Sequence, residues 1–276
     1  MLALVALLAA GCGERAEPTG TNVDLYPVTV QDTAGVGPVS LAAAPGRVAV
    51  LDQEGVRILR ALGVRATLAA DPNGNPKRTL LAGLHPGLVV AGPSNAPLQL
   101  RRLHDKVPAP IYIAGGDSIA AVKRSILELG LLTGTPVRAR QLVAAIAAAQ
   151  AKVAPTGNGA AAPTVFVDLG FFATTGEHSL IGELLRAVGA RNVIGANADP
   201  SLVDPAGLAK LDPQIYLASS DSGTTLAMLR KDPLLRDVAA VRSGRFAIVP
   251  AALLQPGPQI GESLVQLSKA IHASSS

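Results

Sequence analysis

The sequence predicts an α/β protein made of two Rossmann-like lobes with parallel sheets, joined by one long rigid helix, with a ligand cleft between the lobes. The first observation is an internal repeat, because PGRVAVLD, GVRILRALGV and LLAGLHPGLVVAG are followed later by APTVFVDLG, IGELLRAVGA and GLAKLDPQIYLAS in the same order. The spacing also agrees: 23 positions separate Gly63 from Pro86, and 24 separate Gly189 from Pro213. A repeat is stronger architectural evidence than any single motif. The alternative is one larger doubly wound domain in which the similarity is accidental.

The second observation is the stretch between the repeats, TPVRARQLVAAIAAAQAKVA, which has the marks of a single helix. Thr135 is placed to cap it, and Pro136 occupies the first helical position, where its missing N–H costs nothing. The apolar residues recur at steps of three and four, which predicts one narrow buried stripe. These stripe residues are Ala139, Leu142, Ile146, Ala149 and Val153. Pro155, Gly157 and Gly159 predict the end of the helix.

The elements before this helix alternate between strand and helix patterns. The predicted order is a β-hairpin, the strand Val48–Leu51, a helix around Ile58, the strand ATLAA, a loop DPNGNP, a short helix, the strand GLVVAG, a helix around Leu98–Leu103, the strand PIYIAG, and a helix capped by Ser118. Strands that alternate with helices in this way predict a parallel sheet.

The elements after the helix repeat the alternation. The predicted order is the strand TVFVDLG, a turn-rich loop, the helix Leu180–Val188, a helix capped by Asp204, the strand QIYLAS, a polar loop at Ser219–Thr225, the strand GRFAIVP, and a terminal helix. We therefore divide the chain into a signal peptide, lipobox and tether at 1–22, an N-terminal lobe at 23–134, the connecting helix at 135–154, and a C-terminal lobe at 155–276.

Composition excludes several classes of protein. At 276 residues, with 49% hydrophobic and 16% charged residues, the chain is globular and not disordered. Aromatic residues make up 3%, and the net charge of +4 comes from scattered Lys and Arg. Since single-stranded nucleic acid is bound by aromatic platforms and basic grooves, we expect no nucleic-acid partner.

The N-terminus, MLALVALLAAGC, is an apolar run that is too short to span a bilayer but suits the core of a signal peptide. The segment Leu8–Cys12 resembles a bacterial lipobox, in which the cysteine is lipidated and becomes the mature N-terminus. Cys12 is the only cysteine, so no disulfide can form within the chain. The expectation is an extracytoplasmic protein, lipid-anchored to the cell membrane or periplasmic; the alternative is a buried N-terminal strand with a structural cysteine.

A ligand site is predicted where the two sheets face each other, because ligands of open α/β sheets bind beyond the carboxyl ends of the strands. The loops there carry neutral hydrogen-bonding groups, one acid and a pair of aromatics. The predicted ligand-binding residues are Gln53, Glu54, Asn73, Asn75, Ser94, Asn95, Phe171, Phe172, Thr174, Thr175, Ser220 and Gln255. Taken singly, each Asn, Ser or Gly of these loops is better explained as a turn or cap former, and only the set as a whole favours a ligand site.

Several segments, in this order, resemble solute-binding proteins of ABC importers for cobalamin and ferric siderophores. They are YPVTVQDTAG, VSLAAAPGRVAVLD, LAGLHPGLVVAG, SILELGLLTGT, ATTGEHSLIGELLRAVGARNVIG and LQPGPQIGESLVQLSKAIH. The resemblance implies two lobes joined by one stiff helix, a cobalamin or ferric siderophore ligand between them, and a membrane permease and ATPase as partners. It also implies lipid anchoring or a periplasmic location, and we expect a monomer.

The resemblance also implies an acidic residue on each lobe that docks the permease. The corresponding positions here are Lys77 or Arg78 and Ala206, with Asp71, Asp199 and Asp204 as nearby substitutes.

Two other functions are compatible with this fold. An enzyme is disfavoured because no G-x-S-x-G, Walker A or zincin motif occurs and the four histidines do not converge. His178 is interpreted as a rim residue, and no catalytic residue, metal site or cofactor is predicted. A ligand sensor without transport would share every feature given so far.

Overall fold

The computed structural model describes residues 25–31, 37–93, 95, 97–154, 161–196 and 201–272. Before the long central helix the chain forms six strands and four helices in the described residues. The strands are β1 (Val28–Val30), β2 (Val39–Leu41), β3 (Val48–Val50), β4 (Thr67–Leu68), β5 (Leu88–Ala91) and β6 (Ile111–Ile113). The helices are α1 (Gln53–Ala61), α2 (Arg78–Leu84), α3 (Pro97–His104) and α4 (Ile119–Leu132).

The central helix α5 (Pro136–Val153) is followed by six more strands and five more helices in the described residues. The strands are β7 (Thr164–Asp168), β8 (Ala173–Thr174), β9 (Arg191–Asn192), β10 (Ser201–Leu202), β11 (Ile215–Ser219) and β12 (Phe246–Val249). The helices are α6 (Leu180–Ala187), α7 (Pro205–Leu211), α8 (Leu226–Lys231), α9 (Ala239–Ser243) and α10 (Ile260–His272).

Two separate four-stranded parallel sheets stand on either side of α5, and we call the parts before and after it the N-lobe and the C-lobe. The N-lobe sheet has the order β4-β3-β5-β6, and the C-lobe sheet has the order β9-β7-β11-β12. In both lobes the second strand along the chain lies outside the first, and the third and fourth follow on the other side. The identical order confirms the repeat and shows that the single-domain alternative is wrong.

The repeat extends to details of backbone conformation. Helices α2 and α7 both end on a non-glycine residue with left-handed dihedrals, His85 (φ 46°) and Asp212 (φ 41°). In each case the capping N–H donates to the carbonyl four residues earlier, on Leu81 or Leu208, and a proline follows. Pro cannot continue a helix, so both lobes turn into their third strand in the same way.

Three apolar clusters make up the core. Alternate strand residues point to opposite faces, so Val48 and Val50 join one cluster while Ala49 joins another. The outer face of each sheet packs on its own helices, α2 and α3 in the N-lobe and α7 to α9 in the C-lobe. The inner faces of both sheets share one continuous cluster with α1, α4, α5, α6 and α10. The two lobes are therefore joined by a common core as well as by a connecting helix.

Helix α5 is the centre of this shared core, and α4 and α10 both pack on it. Ala139 and Ile146 of the predicted stripe are buried, and the other stripe residues are less completely buried. The expected cap is wrong, because the Thr135 side chain makes no capping bond and its hydroxyl instead lies 3.2 Å from that of Thr133. The intervening Gly134 has a φ of 73°, so the chain turns sharply here between α4 and α5.

Small residues allow this close packing. A Cβ atom on Gly130 of α4 would collide with the Cβ of Ala139, and one on Gly261 of α10 would lie 3.4 Å from the Cβ of Ala149. Since Gly130 sits within a helix, where glycine is unfavourable, its place here is explained by the contact.

The structure also contains elements that the sequence patterns did not predict. Helices α8 and α9 are short, and β8 pairs with β10 in an antiparallel two-stranded sheet outside the main C-lobe sheet. The predicted N-terminal hairpin is confirmed as the antiparallel pair β1–β2, although residues 32–36 of its turn lie outside the described residues.

We expect Gly130→Ala to destabilise the protein by about 1–3 kcal/mol, because the added methyl group must displace Ala139 in a close-packed core. The matched control is Gly83→Ala, at an exposed position of α2, where nothing lies within 4 Å of the added atom. That control should be neutral or stabilising by up to about 1 kcal/mol. Urea denaturation followed by circular dichroism measures both; equal effects would contradict the account of the α4–α5 contact.

Candidate ligand cleft

Two hydrogen bonds across the lobes bring the carboxyl ends of the two sheets together. Arg57 of α1, the helix that follows β3, donates from Nη2 to the carbonyl oxygen of Pro256, beyond β12, at 3.1 Å. The N–H of Ile119, at the start of α4 beyond β6, donates to Oε2 of Glu183 in α6 at 2.6 Å. Each bond joins the first helix of one lobe to the approach to the last helix of the other. The strand-end loops of both sheets consequently border one cleft.

The N-lobe rim contains a depression of about 530 Å³ at the ends of β3 and β4. Gln53, Asn73 and Lys77 lie around it, and all three residues are exposed. Asp52 caps α1 by accepting a hydrogen bond from the N–H of Gly55 at 2.7 Å, which places Gln53 in the first helical turn. The side chains of Gln53 and Asn73 therefore lie exposed at the edge of this depression.

Asn75 and Asn95 hold the rim in shape. The carboxylate of Asp71 accepts hydrogen bonds from the N–H groups of Asn73 and Asn75 and from the Asn75 side chain, at 2.8 to 3.0 Å. These bonds lower the pKa of Asp71. Asn95 is only 5% exposed, and its amide accepts from the N–H of Gly92 and donates to the carbonyl of Gly74. Asn95 thus ties the loop after β5 to the loop after β4.

Glu54 is the buried acid of the N-lobe rim. It is 6% exposed, its carboxyl group lies against Gly115 beyond β6, and within the described chain its Oε1 has no hydrogen-bond partner. The Nε of Arg57, one turn along α1, is also buried without a partner there. Burial, reinforced by the neighbouring Asp52 carboxylate, raises the pKa of Glu54 to about 7 against the opposing effect of Arg57.

Phe171 and Phe172 form the most unusual backbone of the C-lobe rim. Both have left-handed dihedrals, with φ values of 51° and 59°, directly after Gly170 at 130°. Bulky side chains rarely adopt this conformation, and such strain concentrates at functional sites. Phe171 is 87% exposed, whereas Phe172 packs against the outer core of the C-lobe. Leu202, 79% exposed, lies on β10 opposite Ala173 and adds to the same apolar rim.

The remaining predicted residues of the C-lobe differ in exposure. Thr174 is completely buried, and the Thr175 hydroxyl lies 2.9 Å from that of Ser179, the cap of α6. Ser220 and Gln255 are exposed. His178 is exposed, as expected of a rim residue, and Ser94 lies outside the described residues.

Sequence reasoning assigned no role to Asp168, which the structure makes prominent. It ends the buried strand β7, has 0% exposure, and accepts hydrogen bonds from the N–H groups of Gly170 and Phe172 and from the hydroxyls of Tyr216 and Thr224. The signal was present in the sequence as an acid that closes an apolar strand, since acids are almost never fully buried without partners.

The sequence profile of the family described as "Periplasmic binding protein" matches residues 76–253 of the chain. The chain belongs to this family. Its members are solute-binding proteins and not enzymes, and membership implies an extracytoplasmic location. No helix in the described ranges is long and apolar enough to cross a bilayer.

Proteins similar to this periplasmic binding protein match it over most of its length. A protein of Halobacterium salinarum named "Cobalamin-binding protein" is 25% identical over 99% of this chain and 83% of its own. The siderophore-binding protein BauB, solved with a complex of two acinetobactin molecules and ferric iron, has a TM-score of 0.74 at 20% identity, covering 89% of this chain and 98% of that one. The periplasmic haem-binding protein RhuT from Roseiflexus sp. RS-1 has a TM-score of 0.69 at 20% identity, covering 83% and 99%.

The positions considered for permease docking in this periplasmic binding protein lie at the starts of α2 and α7, the equivalent helices of the two lobes. The residues there are Lys77, Arg78 and Ala206. Asp204 is exposed but caps α7 through the N–H of Gly207, and Asp71 is engaged in its own loop. Asp199 lies outside the described residues, and the use of these acids in docking stays a prediction.

We expect the free energy of unfolding of this periplasmic binding protein to decrease as the pH is raised from about 5 to about 8, because of Glu54. The folded protein holds a proton on Glu54 up to about pH 7, whereas the unfolded chain releases it near 4.5. The stability that depends on protonated Glu54 is fully present at low pH. It is lost as pH rises through that interval, which lowers the free energy of unfolding by up to about 3 kcal/mol. Glu54→Gln should remove this loss.

The measurement is the free energy of unfolding in urea at several pH values for the wild type, Glu54→Gln and the control Glu262→Gln, an exposed acid in α10. The wild-type and Glu262→Gln curves should run parallel, and Glu54→Gln should be flatter. A Glu54→Gln curve parallel to that of the wild type would show that folding does not raise the pKa of Glu54.

Proposed function

We propose that this chain is the solute-binding component of an ABC importer, and that it binds one large metal chelate, cobalamin or a ferric siderophore, between its lobes. The observation that carries the proposal is an exposed aromatic side chain, Phe171, on a strained loop at the rim of a cleft whose other exposed groups are mainly neutral hydrogen-bonding ones. Strain and solvent exposure of a Phe both cost free energy, so a bound ligand is the natural reason for retaining them.

The polar groups around the cleft suit a chelate that is rich in amides and hydroxyls. Gln53, Asn73 and Gln255 are exposed there, and each can donate as well as accept hydrogen bonds without a fixed charge. The hydroxyl of Ser220 is also exposed, but it already donates to Asp221 and accepts from the N–H of Ala251. Arg57, the cation at the junction of the lobes, already donates to Pro256. Lys77 is an exposed cation at the N-lobe depression. A strongly anionic ligand would need several such cations in the cleft, so a mainly neutral chelate fits better.

The named relatives support the same class of ligand. The Halobacterium salinarum protein is named for cobalamin, BauB was solved with a ferric siderophore, and RhuT is named for haem. All of these ligands are large metal chelates with apolar edges, which an exposed aromatic residue can cover. Haem is consequently included among the ligands to be tested.

We expect calorimetric titration to detect binding of cyanocobalamin or of ferrichrome, a ferric hydroxamate, with haemin as the third ligand. Phe171→Ala and Gln53→Ala should each weaken that binding by about 1–3 kcal/mol, as for a buried anchor or a hydrogen-bond partner. The matched control is Val137→Ala, an exposed apolar residue on α5, which should leave the affinity unchanged. Affinities weaker than about 10 µM, roughly −7 kcal/mol, for all three ligands would refute the proposed ligand class.

We propose further that Cys12 carries lipid and anchors the protein to the outer face of a membrane, because a signal-like apolar run ends in Ala10-Gly11-Cys12. Two acyl chains give stable anchoring where one is marginal. Cys12→Ala should move the protein from the membrane fraction to the soluble fraction, and it should abolish incorporation of labelled fatty acid. Equal membrane retention of the two forms, without labelling of either, would rule out the lipid anchor.

A further inference from the structure

The buried carboxylate of Asp168 joins three separate segments at the C-lobe rim. It accepts hydrogen bonds from the N–H groups of Gly170 (2.9 Å) and Phe172 (3.1 Å), from the Tyr216 hydroxyl (2.8 Å) and from the Thr224 hydroxyl (2.6 Å). These donors belong to the loop after β7, to β11 and to the loop after β11. Within the described ranges no Lys or Arg forms an ion pair with Asp168. Its charge is therefore balanced by hydrogen-bond donors alone.

The Tyr216 hydroxyl that donates to Asp168 is held in place by ring contacts. Tyr216 is fully buried between Phe166 and Phe246, with ring centroids 5.3 and 5.6 Å away. Burial raises the pKa of the Tyr216 hydroxyl, and the adjacent Asp168 carboxylate raises it further, so Tyr216 stays a donor at any ordinary pH. Asp168 thus contacts the well-packed Tyr216 through one carboxylate oxygen and the strained loop through the other.

The strained loop depends on these bonds to the carboxylate. Gly170, Phe171 and Phe172 all have positive φ, and the N–H groups of the residues on either side of Phe171 both donate to Asp168. A carboxylate that accepts several backbone N–H groups can stabilise a conformation that the side chains disfavour. Phe172 is anchored in the outer core, so the loop directs Phe171 outward.

We propose that Asp168 is a positioning residue of the ligand site, which holds the backbone of residues 169–172 so that Phe171 projects into the cleft. The proposal rests on the proposed function, in which Phe171 meets the ligand, and it adds the residue that decides where Phe171 stands. It also separates two roles within the same loop: Phe171 contacts the ligand, and Asp168 acts only through Phe171.

The test uses Phe171→Trp as the reporter, since the chain contains no other tryptophan. In this background we compare Asp168→Ala, which removes all four acceptor contacts, with Asp168→Asn, which keeps the shape and two acceptor contacts. The matched control is Asp232→Ala, another C-lobe carboxylate that accepts a backbone N–H, from Leu234 at 2.8 Å. Fluorescence anisotropy of the introduced tryptophan and amide exchange of the peptide 169–174 are measured without ligand, and affinities for cyanocobalamin and ferrichrome are measured in parallel.

Asp168→Ala should lower the anisotropy of the reporter tryptophan. It should speed amide exchange in 169–174 by about tenfold or more, as expected for local opening. It should also weaken the affinity for whichever of cyanocobalamin and ferrichrome binds by a similar factor. Asp168→Asn should keep anisotropy, amide exchange and affinity close to those of the reporter protein with Asp168 intact. Asp232→Ala should leave all three unchanged. Unchanged anisotropy and exchange in a folded Asp168→Ala protein would overturn the proposal.

The ligand-free readings separate this proposal from the proposed function. If neither probe binds the reporter protein or the wild type, the ligand class is wrong, while anisotropy and exchange still decide the role of Asp168. If Asp168→Ala does not fold, the pair Tyr216→Phe with Thr224→Val removes only the two hydroxyl donors. That variant should shift both ligand-free readings in the same direction by a smaller amount, and an unaffected loop would overturn the proposal.

Discussion

The contact between α5 and its two neighbours, α4 and α10, is the constraint on which the rest of the structure depends. Gly130 allows α4 to approach α5 closely, α10 packs on another side of α5, and the shared core then continues from one sheet to the other. Because close-packed cores resist deformation, the two lobes cannot swing freely about a flexible linker. The hydrogen bonds from Arg57 to Pro256 and from Ile119 to Glu183 link the two lobes at the carboxyl ends of their sheets. These strand ends therefore face one cleft.

Each lobe has an aspartate near the carboxyl end of the first strand of its parallel sheet, but the two lie one position apart in the repeat, since the strand register matches Asp168 with Leu51. Asp52 caps α1, which begins at once, and leaves Glu54 buried behind it. Asp168 faces a loop instead of a helix start, so its hydrogen bonds shape a projecting aromatic rim. Adjacent positions at the same strand end of a repeated fold thus support a compact polar rim in one lobe and an apolar rim in the other.

The predicted site divides into residues that can meet a ligand and residues that hold the loops. Gln53, Asn73 and Phe171 are exposed, whereas Asn95 and Thr174 are buried. The sequence indicated which loops follow the carboxyl ends of parallel strands, since these follow from the order of elements along the chain. It could not separate the two kinds of residue, because Asn, Ser and Thr occur equally in ligand contacts and in turns. Which of them bind ligand stays a prediction until affinities are measured.

The sequence by itself determined the repeat, the parallel sheets and the single helix α5, because these depend on local periodicity and on the order of elements along the chain. Only the tertiary structure decided the partners of Asp168, the left-handed backbone of Phe171 and the burial of Glu54. Those features arise from contacts between segments far apart in sequence, such as Asp168 with Thr224 or Glu54 with Gly115. The pairing of β8 with β10 escaped prediction for the same reason, since two-residue strands carry no periodic signal of their own.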